Sequence, residues 1–357
     1  FKQIGCDKHQ QGAKDGGTRC HFQAVDKSLA YIAQSHRAPP PAPASGSATT
    51  PLRRLSFAAL GTNCEVQYAA PGGETQATHF ERAVTGWVGA FEAKYSRFRP
   101  ESLLSRINAA AGREWVPVDV EMETLFKLCD TLHFMTQGVL DPTALPLLRL
   151  WNYRADNPSL PTDSEVEAAR RLVGWRKVQR SPGKVFLPEP GMALDFGGFG
   201  KEYAVDMAAQ IAVQNGISSA LIDFGHDLKA LGQPPDRPAW HIGLEDPVRP
   251  ETTNGSIAVI GKGVASSGDY IRRVVIGGRK YGHIVDPRGG RPVANGCLQA
   301  TVVTGSCLQA GVLSTTAFVL GVTKGIEFIQ SFPGAEGLII TENARAQTRG
   351  FFNYVVS

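Results

Sequence analysis

Lysine and glycine at the head of a helix are a way to hold phosphate, and the segment MALDFGGFGKEYAVD, Met192 to Asp206, has that make-up. A strand is expected over Met192 to Phe196. Gly197, Gly198 and Gly200 follow it, and Lys201 opens a helix. Glycines let backbone approach a ligand closely, and a helix N-terminus presents N–H groups and a partial positive charge. The spacing is neither GxGxxG nor GxxxxGK[ST], so two readings stand: a phosphate cradle, or an ordinary tight strand-to-helix turn. A second segment runs SSGDYIRR (Ser266 to Arg273), then KYGHIVDPRGGRPV (Lys280 to Val293). Asp286-Pro287 and Gly289-Gly290 force a turn. His283 stands three residues before it at the end of an expected strand, placed either as a general base or as a hydrogen-bonded structural residue. A third, Ala300 to Gly321, reads as strand then helix. There Gly311 and Thr315 share one helical face, and the hydroxyl serves as a cap or, if carboxylates join it, as a ligand for a hard cation.

Other chemistries find no support. No carboxylate spacing singles out a glycosidase pair or a two-metal site, and the chain has neither GxSxG nor HExxH. The six cysteines (Cys6, Cys20, Cys64, Cys129, Cys297, Cys307) form no CxxC pair, against a zinc knuckle or redox dithiol. Cys6 and Cys20 fit either a disulfide closing a small loop or two free thiols. With 37 Lys+Arg against 33 Asp+Glu the net charge is +4, the basic residues are scattered, and no nucleic-acid partner is expected. No run approaches the roughly 20 apolar residues that span a bilayer, so no transmembrane segment is expected.

The elements that must position these residues show in the patterning. Hydrophobic residues at 42% and charged residues at 20% fit a soluble globule and exclude an acidic disordered chain, and 39 Gly with 23 Pro favour turns and short strands over a helical bundle. Residues 1–37 form a polar tail with two cysteines, 38–54 a Pro/Ala/Ser-rich linker, and 55–357 the folded domain. Phe57 to Ala69 reads as one strand interrupted at Gly61 and Asn63. Phe80, Val84, Trp87, Phe91, Tyr95 and Phe98 step by four, three, four, four and three, the stripe of an amphipathic helix. Further helices are expected over Glu101 to Ala110, Met122 to Thr136, Ser164 to Leu172, Lys201 to Gln214 and Gln309 to Leu320. Short strands are expected at Lys184 to Leu187, Ala220 to Phe224, Trp240 to Leu244, Ser256 to Ile260, Arg273 to Ile276, Leu298 to Val303 and Gly337 to Thr341. Helices mainly in the first half and a mixed or antiparallel sheet in the second predict an α+β fold.

In this order the segments resemble the ApbE family of FAD:protein FMN transferases, over about Leu55 to Gly350. LGTNCEV (Leu60 to Val66) is similar to the family's opening MGT strand, and SRFRPESLLSRIN (Ser96 to Asn108) to its S-x-Y-x-x-x-S-x-x-S-x-x-N segment. GVLDPTALPLLRLWNY (Gly138 to Tyr153) resembles its aspartate-containing stretch, and LDFGGFGKEYAVD its D-x-x-x-x-x-K-G-Y-x-x-D segment. IDFGHD (Ile222 to Asp227), SGDY, HIVDPRGGRPV and LSTTAFVLG complete the series.

The resemblance implies an ApbE-like fold and a reaction in which FAD is cleaved at its pyrophosphate, FMN passes to a Ser/Thr hydroxyl of a target flavoprotein, and AMP leaves. It implies Mg²⁺, a periplasmic or other extracytoplasmic setting, His283 as catalytic base, and Leu60, Phe98, Val139, Leu140, Asp141, Asp195, Lys201 and Ile284 around the FAD. The chain departs from the family at a critical place. Where relatives carry Ala-Asp-Ala-Leu-Ser-Thr it has Ala310-Gly311-Val312-Leu313-Ser314-Thr315. The metal carboxylate is thus absent at Gly311, leaving Thr315 and the backbone of Gly198, a set that binds a hard cation weakly. Phe98 replaces an aromatic hydroxyl, Leu60 a Met, Gly225-His226-Asp227 a Gly-Gly-Asn turn, and Gly289-Gly290 a Thr-Gly. Two expectations follow: a working flavin transferase with a displaced metal site, or a non-catalytic flavin-binding or assembly subunit of a larger, membrane-associated complex docked through its N-terminal tail.

Overall fold

The computed structural model describes residues 50–152, 158–249, 252–269 and 273–356. The tail 1–37 with Cys6 and Cys20, and most of the 38–54 segment, lie outside the described residues. Eight strands form the main sheet and are numbered in chain order: β1 Leu52–Ala59, β2 Thr62–Ala69, β3 Ala220–Phe224, β4 Asp227–Leu231, β5 Gly263–Gly268, β6 Cys297–Thr304, β7 Glu336–Thr341 and β8 Arg345–Gln347. They lie side by side in that same order and every neighbouring pair is antiparallel. The helices are α1 Gly73–Tyr95, α2 Leu103–Ala109, α3 Val120–Met135, α4 Leu145–Leu150, α5 Asp163–Arg171, α6 Gly200–Gln214, α7 Cys307–Leu320 and α8 Val322–Gln330.

Strand alternation sorts the two faces of this sheet. Leu228, Ala230, Val264, Val303, Leu338 and Ile340 point to one side, where they form a core with Trp240, Ile242, Ile257 and Val259 of a small antiparallel sheet. On the other side Val66, Tyr68, Ile222 and Phe224 pack against α1 and α6, through Phe80, Val84 and Val88 and through Ala204, Val205, Ala208 and Ala212. The alanines of α6 keep its axis close to the sheet. Hydrophilic residues of the strands that face the helices find partners there: Lys229 donates to the carbonyls of Gly261 and Gly305, and Ser267 meets α7.

The first turn of helix α7 is bonded to α6 through one carboxylate. Asp206, buried on α6, accepts from the backbone N–H groups of Cys307 and Leu308, both at 2.9 Å. Those are first-turn donors that α7 cannot satisfy itself, and a charged acceptor suits the positive end of its dipole. Ser306 caps the same turn by accepting from Gln309 N.

Several expectations change. The first strand begins at Leu52, inside the stretch assigned to the linker, because Leu55 and Phe57 pair along β2. The expected single strand over Phe57 to Ala69 is a hairpin, turning at Leu60 and Gly61 with both φ positive (54° and 71°), the backbone twist a two-residue turn needs. Met192 to Phe196 is not a strand. Its backbone pairs instead with the Asn108 side chain, which exchanges two hydrogen bonds with Leu194, and with Pro142 O, which accepts from Asp195 N. The α1 stripe stops at Tyr95, where Ser96 turns extended, and leaves Phe98 beyond the helix and 72% exposed. Strands β4, β5 and β8 and helices α4 and α8 were not anticipated; β4 carries two charged residues and β5 two serines flanked by small residues, which masks their periodicity. The four described cysteines are buried and free.

Removing the Asp206 carboxylate strands two buried amide donors. Asp206→Ala is expected to lower stability by about 2–4 kcal/mol, measured by urea denaturation, with a normal far-ultraviolet spectrum in the absence of denaturant.

Candidate active site

Lys201 leaves the first turn of α6 and is held by three acceptors at the tip of the β3–β4 hairpin. Its Nζ donates to the Asp227 carboxylate, to Phe224 O at 3.0 Å and to Gly225 O at 3.2 Å. The hairpin turns at Gly225 and His226 with φ of 60° and 70°, and Asp223 pins it by accepting from His226 N. A side chain at Gly225 would strike Thr62 Oγ1 at 2.4 Å, and Gly225 N donates to Asn63 O, so this tip and the Leu60-Gly61 tip sit together. Burial opposes charge on Lys201, but Asp227 and then Glu202 overcome that and hold the ammonium above its ordinary value.

The glycine turn ahead of Lys201 is set by aromatic packing. Phe196 meets Tyr95 and Phe199, and Phe91 stacks between Trp87, Tyr95 and Tyr203. No side chain caps α6, whose N-cap is Phe199, so the helix end stays open to an anionic ligand. Gly198 faces Leu140, 3.5 Å from where a Cβ would lie. Asp195, half-buried, lies against Arg97, at 3.3 Å, and accepts from Gly197 N. Burial raises its carboxyl against the pull of Arg97. The Arg97 guanidinium lies 4.3 Å from the Phe98 ring centroid, which ties exposed Phe98 to this edge of the site.

On the other side of Lys201 stands a residue that sequence reasoning passed over. Glu202 is 9% exposed, and one of its oxygens, Oε2, is buried without a hydrogen-bond partner. Its carboxyl contacts Asp227; burial first, then that neighbouring carboxylate, push it up to about 8. It also fills the space beside Gly311: a Cβ there would fall 2.5 Å from Glu202 Cγ and 3.0 Å from Cδ and Oε1. A signal was available, since Glu202 stands at the Gly of the K-G-Y pattern while Gly311 stands where an acid is expected. One helical turn beyond Gly311, Thr315 Oγ1 lies 2.8 Å from Ser267 Oγ, which is 2.9 Å from Ser314 Oγ. Ser314 in turn donates to Gly311 O at 3.1 Å. Helix α7 begins two residues earlier than expected, so Gly311 and Thr315 lie in its second and third turns, away from the N-terminus that Asp206 occupies.

His283 follows the hairpin Arg279–Gly282 and its partner strand Arg273–Ile276. That hairpin is anchored at Gly282, where a Cβ would fall 2.5 Å from Asp269 Cβ. Asp269 lies two residues past Ser267, so His283 comes to the Thr315 end of the sheet; Tyr270 of SGDY lies outside the described residues. Ile284 accepts from Val293 N and starts the short ladder Val285–Asp286 with Arg291–Pro292. Leu60 N donates to Glu92 Oε1 at 2.8 Å.

Asp141 is fixed by the loop around it. Thr143 N and Oγ1 donate to one of its oxygens, and Trp175 N donates to the other, with His133 Nε2 3.3 Å away. The carboxylate therefore organises the loop that carries Val139, buried, and Leu140. Burial works against its charge, yet His133, Thr143 and Trp175 hold it below the usual carboxylate range.

Together these features define an α+β protein whose antiparallel meander, on its helix-covered face, joins a Lys–Asp–Glu cluster with buried acids to a glycine turn and a row of hydroxyls. The ApbE family profile matches residues 60–339, and the chain belongs to that family. An FAD:protein FMN transferase of Vibrio cholerae is 28% identical over 275 residues, 76% of this chain and 82% of that protein. One from Klebsiella pneumoniae is 30% identical over 248 residues, 69% and 77% of the two chains. Among solved structures, the ApbE protein of Thermotoga maritima superposes with TM-score 0.78 at 29% identity, covering 86% of this chain and all of that one. The flavin transferase ApbE of Vibrio cholerae gives 0.76 at 26%, covering 85% and 100%.

A depressed carboxylate contributes stability above its unfolded value that is lost as pH falls through the folded one. Asp141→Asn should lower the urea midpoint at neutral pH, and the gap from wild type should narrow as pH drops below about 4.

Proposed function

We propose that this chain transfers FMN from FAD to a Ser or Thr hydroxyl of a target flavoprotein, with AMP leaving. The observation that carries this reading is Lys201, a half-buried ammonium fixed by Asp227 and two turn carbonyls beside the open end of α6. That arrangement suits a diphosphate: glycine backbone at Gly197 and Gly198 for close approach, N–H groups at the helix end, and a full charge already in position. Leu60, Phe98, Leu140 and Ile284 supply apolar surface for the ring systems, and Asp195 with Arg97 frames the glycine turn.

In the transfer, the acceptor oxygen forms a bond to the FMN phosphorus while the bond from that phosphorus to the bridging pyrophosphate oxygen breaks. The electron pair leaves with AMP. His283 takes the proton that the attacking hydroxyl loses, which makes the hydroxyl a better nucleophile as charge builds on the phosphoryl oxygens. Mg²⁺ belongs to the same reading: the Thr315 hydroxyl and Gly198 carbonyl are oxygen ligands of the right hardness, and the unpartnered oxygen of Glu202 shows that the neighbourhood has a carboxylate to spare. When bound, such an ion neutralises phosphate charge. Action outside the cytoplasm, in the periplasm, and docking of the 1–37 tail on a partner complete the proposal; both rest on the family resemblance and the composition of the leader.

The test is a mixture of the protein, FAD, Mg²⁺ and a flavin-acceptor domain. AMP release and a flavin-sized mass gain on the acceptor are expected together, and His283→Ala should slow both by on the order of 10²–10⁴-fold. Intact FAD and an unmodified acceptor from the wild-type protein would contradict the reading.

A further inference from the structure

We propose that Glu202 provides the carboxylate of a divalent-cation site on the seam between α6 and α7, in place of an acid at position 311. Thr315 and the carbonyl of Gly198 are its other protein ligands. The inference takes the kind of ion, one that prefers oxygen as Mg²⁺ and Mn²⁺ do, and the ligands Thr315 and Gly198 from the transferase reading; the assignment of Glu202 rests on the structure.

The seam has a regular register. Asp206 meets Cys307 and Leu308, and Glu202, one turn earlier on α6, meets Gly311, one turn later on α7. The helices therefore run past each other in opposite directions. One turn further along α7 stands Thr315, while α6 ends at Gly200, so Thr315 is directed toward the open end of α6 and the glycine turn that carries Gly198. Glu202 lies between the Asp206 cap and that end, with its side chain in the volume that an aspartate on α7 would use.

Its chemistry points the same way. A buried carboxylate oxygen without a donor is costly, and native proteins rarely keep one without a ligand to meet it. The nearest cation cannot meet it: Lys201 already donates to Asp227, Phe224 O and Gly225 O. Two carboxyl groups, Glu202 and Asp227, face a single ammonium, an arrangement that an added cation would balance. The hydroxyls of Ser267, Ser314 and Thr315 bring neutral oxygens to the same seam. Among the described residues no three His, Cys, Asp or Glu side chains converge as a metal site. One carboxylate with neutral oxygens, water and ligand phosphate is the shell that Mg²⁺ commonly accepts.

The experiment is titration of the full chain with Mn²⁺, with free ion followed by electron paramagnetic resonance, with and without FAD. One Mn²⁺ per chain is expected. Isosteric Glu202→Gln should weaken binding about tenfold or more while its melting curve remains cooperative. Gly311→Asp alone should destabilise the fold, because the new Cβ displaces Glu202. The double variant Glu202→Gly/Gly311→Asp should recover both stability and Mn²⁺ affinity. Absence of stoichiometric Mn²⁺ in the wild type, unchanged affinity in Glu202→Gln, or no recovery in the double variant each overturns the proposal. AMP release from FAD in the same samples separates the two ideas: turnover with Glu202-independent Mn²⁺ binding sinks the site alone, and Glu202-dependent binding without turnover sinks the transferase alone.

Discussion

Two acids one turn apart on α6 determine how α7 lies against it. Asp206 closes the first turn of α7 with charge-assisted hydrogen bonds inside the core, and Glu202 fills the notch left by Gly311. Neither contact tolerates a shift of one helical turn, since the carboxylate would then lose its amides and the glycine would lose its guest. Everything that touches α7 inherits this register. Thr315 meets Ser267 on β5, Lys229 reaches the carbonyl of Gly305 just ahead of α7, and Lys201 is aimed from the same helix that bears both acids.

The electrostatics of the site follow from that geometry. Lys201, Asp227 and Glu202 are placed where water is scarce, so each charge depends on its neighbours rather than on solvent. Lys201 keeps its proton because Asp227 and Glu202 face it, whereas Glu202, with Asp227 beside it, is pushed toward neutrality unless a further positive charge arrives. The site's second acid on one side and its uncapped helix end on the other are complementary to a cation and a phosphate bound together. The lack of an acid at Gly311 was the ground for reading the chain as a non-catalytic subunit, and Glu202 restores a carboxylate at that place.

Much of this architecture shows in the residue pattern. The α1 stripe from Phe80 to Tyr95, the α6 and α7 segments, and five of the eight main-sheet strands, including the β1–β2 pair read as one interrupted strand, follow from periodicity and turn residues. The site segments were recognisable because glycine, lysine and histidine are grouped with turn signals. What escaped depends on distant partners. Met192 to Phe196 has a strand-like composition, yet no strand lies alongside, and the Asn108 amide takes the partner's place. Strand β4 begins with Asp227 and holds Lys229, which look like surface residues until Lys201 and the Gly305 carbonyl are brought to them. Asp141 also braces the loop that carries Val139 and Leu140, a role that only Thr143, Trp175 and His133 make visible. Glu202 was the least legible, because its meaning depends on a glycine more than a hundred residues away.

The most direct measurement is anomalous scattering from a crystal of the full chain grown with FAD and Mn²⁺. A single manganese peak within bonding distance of Glu202, Thr315 Oγ1 and Gly198 O, with the FAD pyrophosphate beside it and Lys201, is the expected result. Bound FAD with no manganese there, or with the metal elsewhere and Glu202 still without a partner, would contradict it.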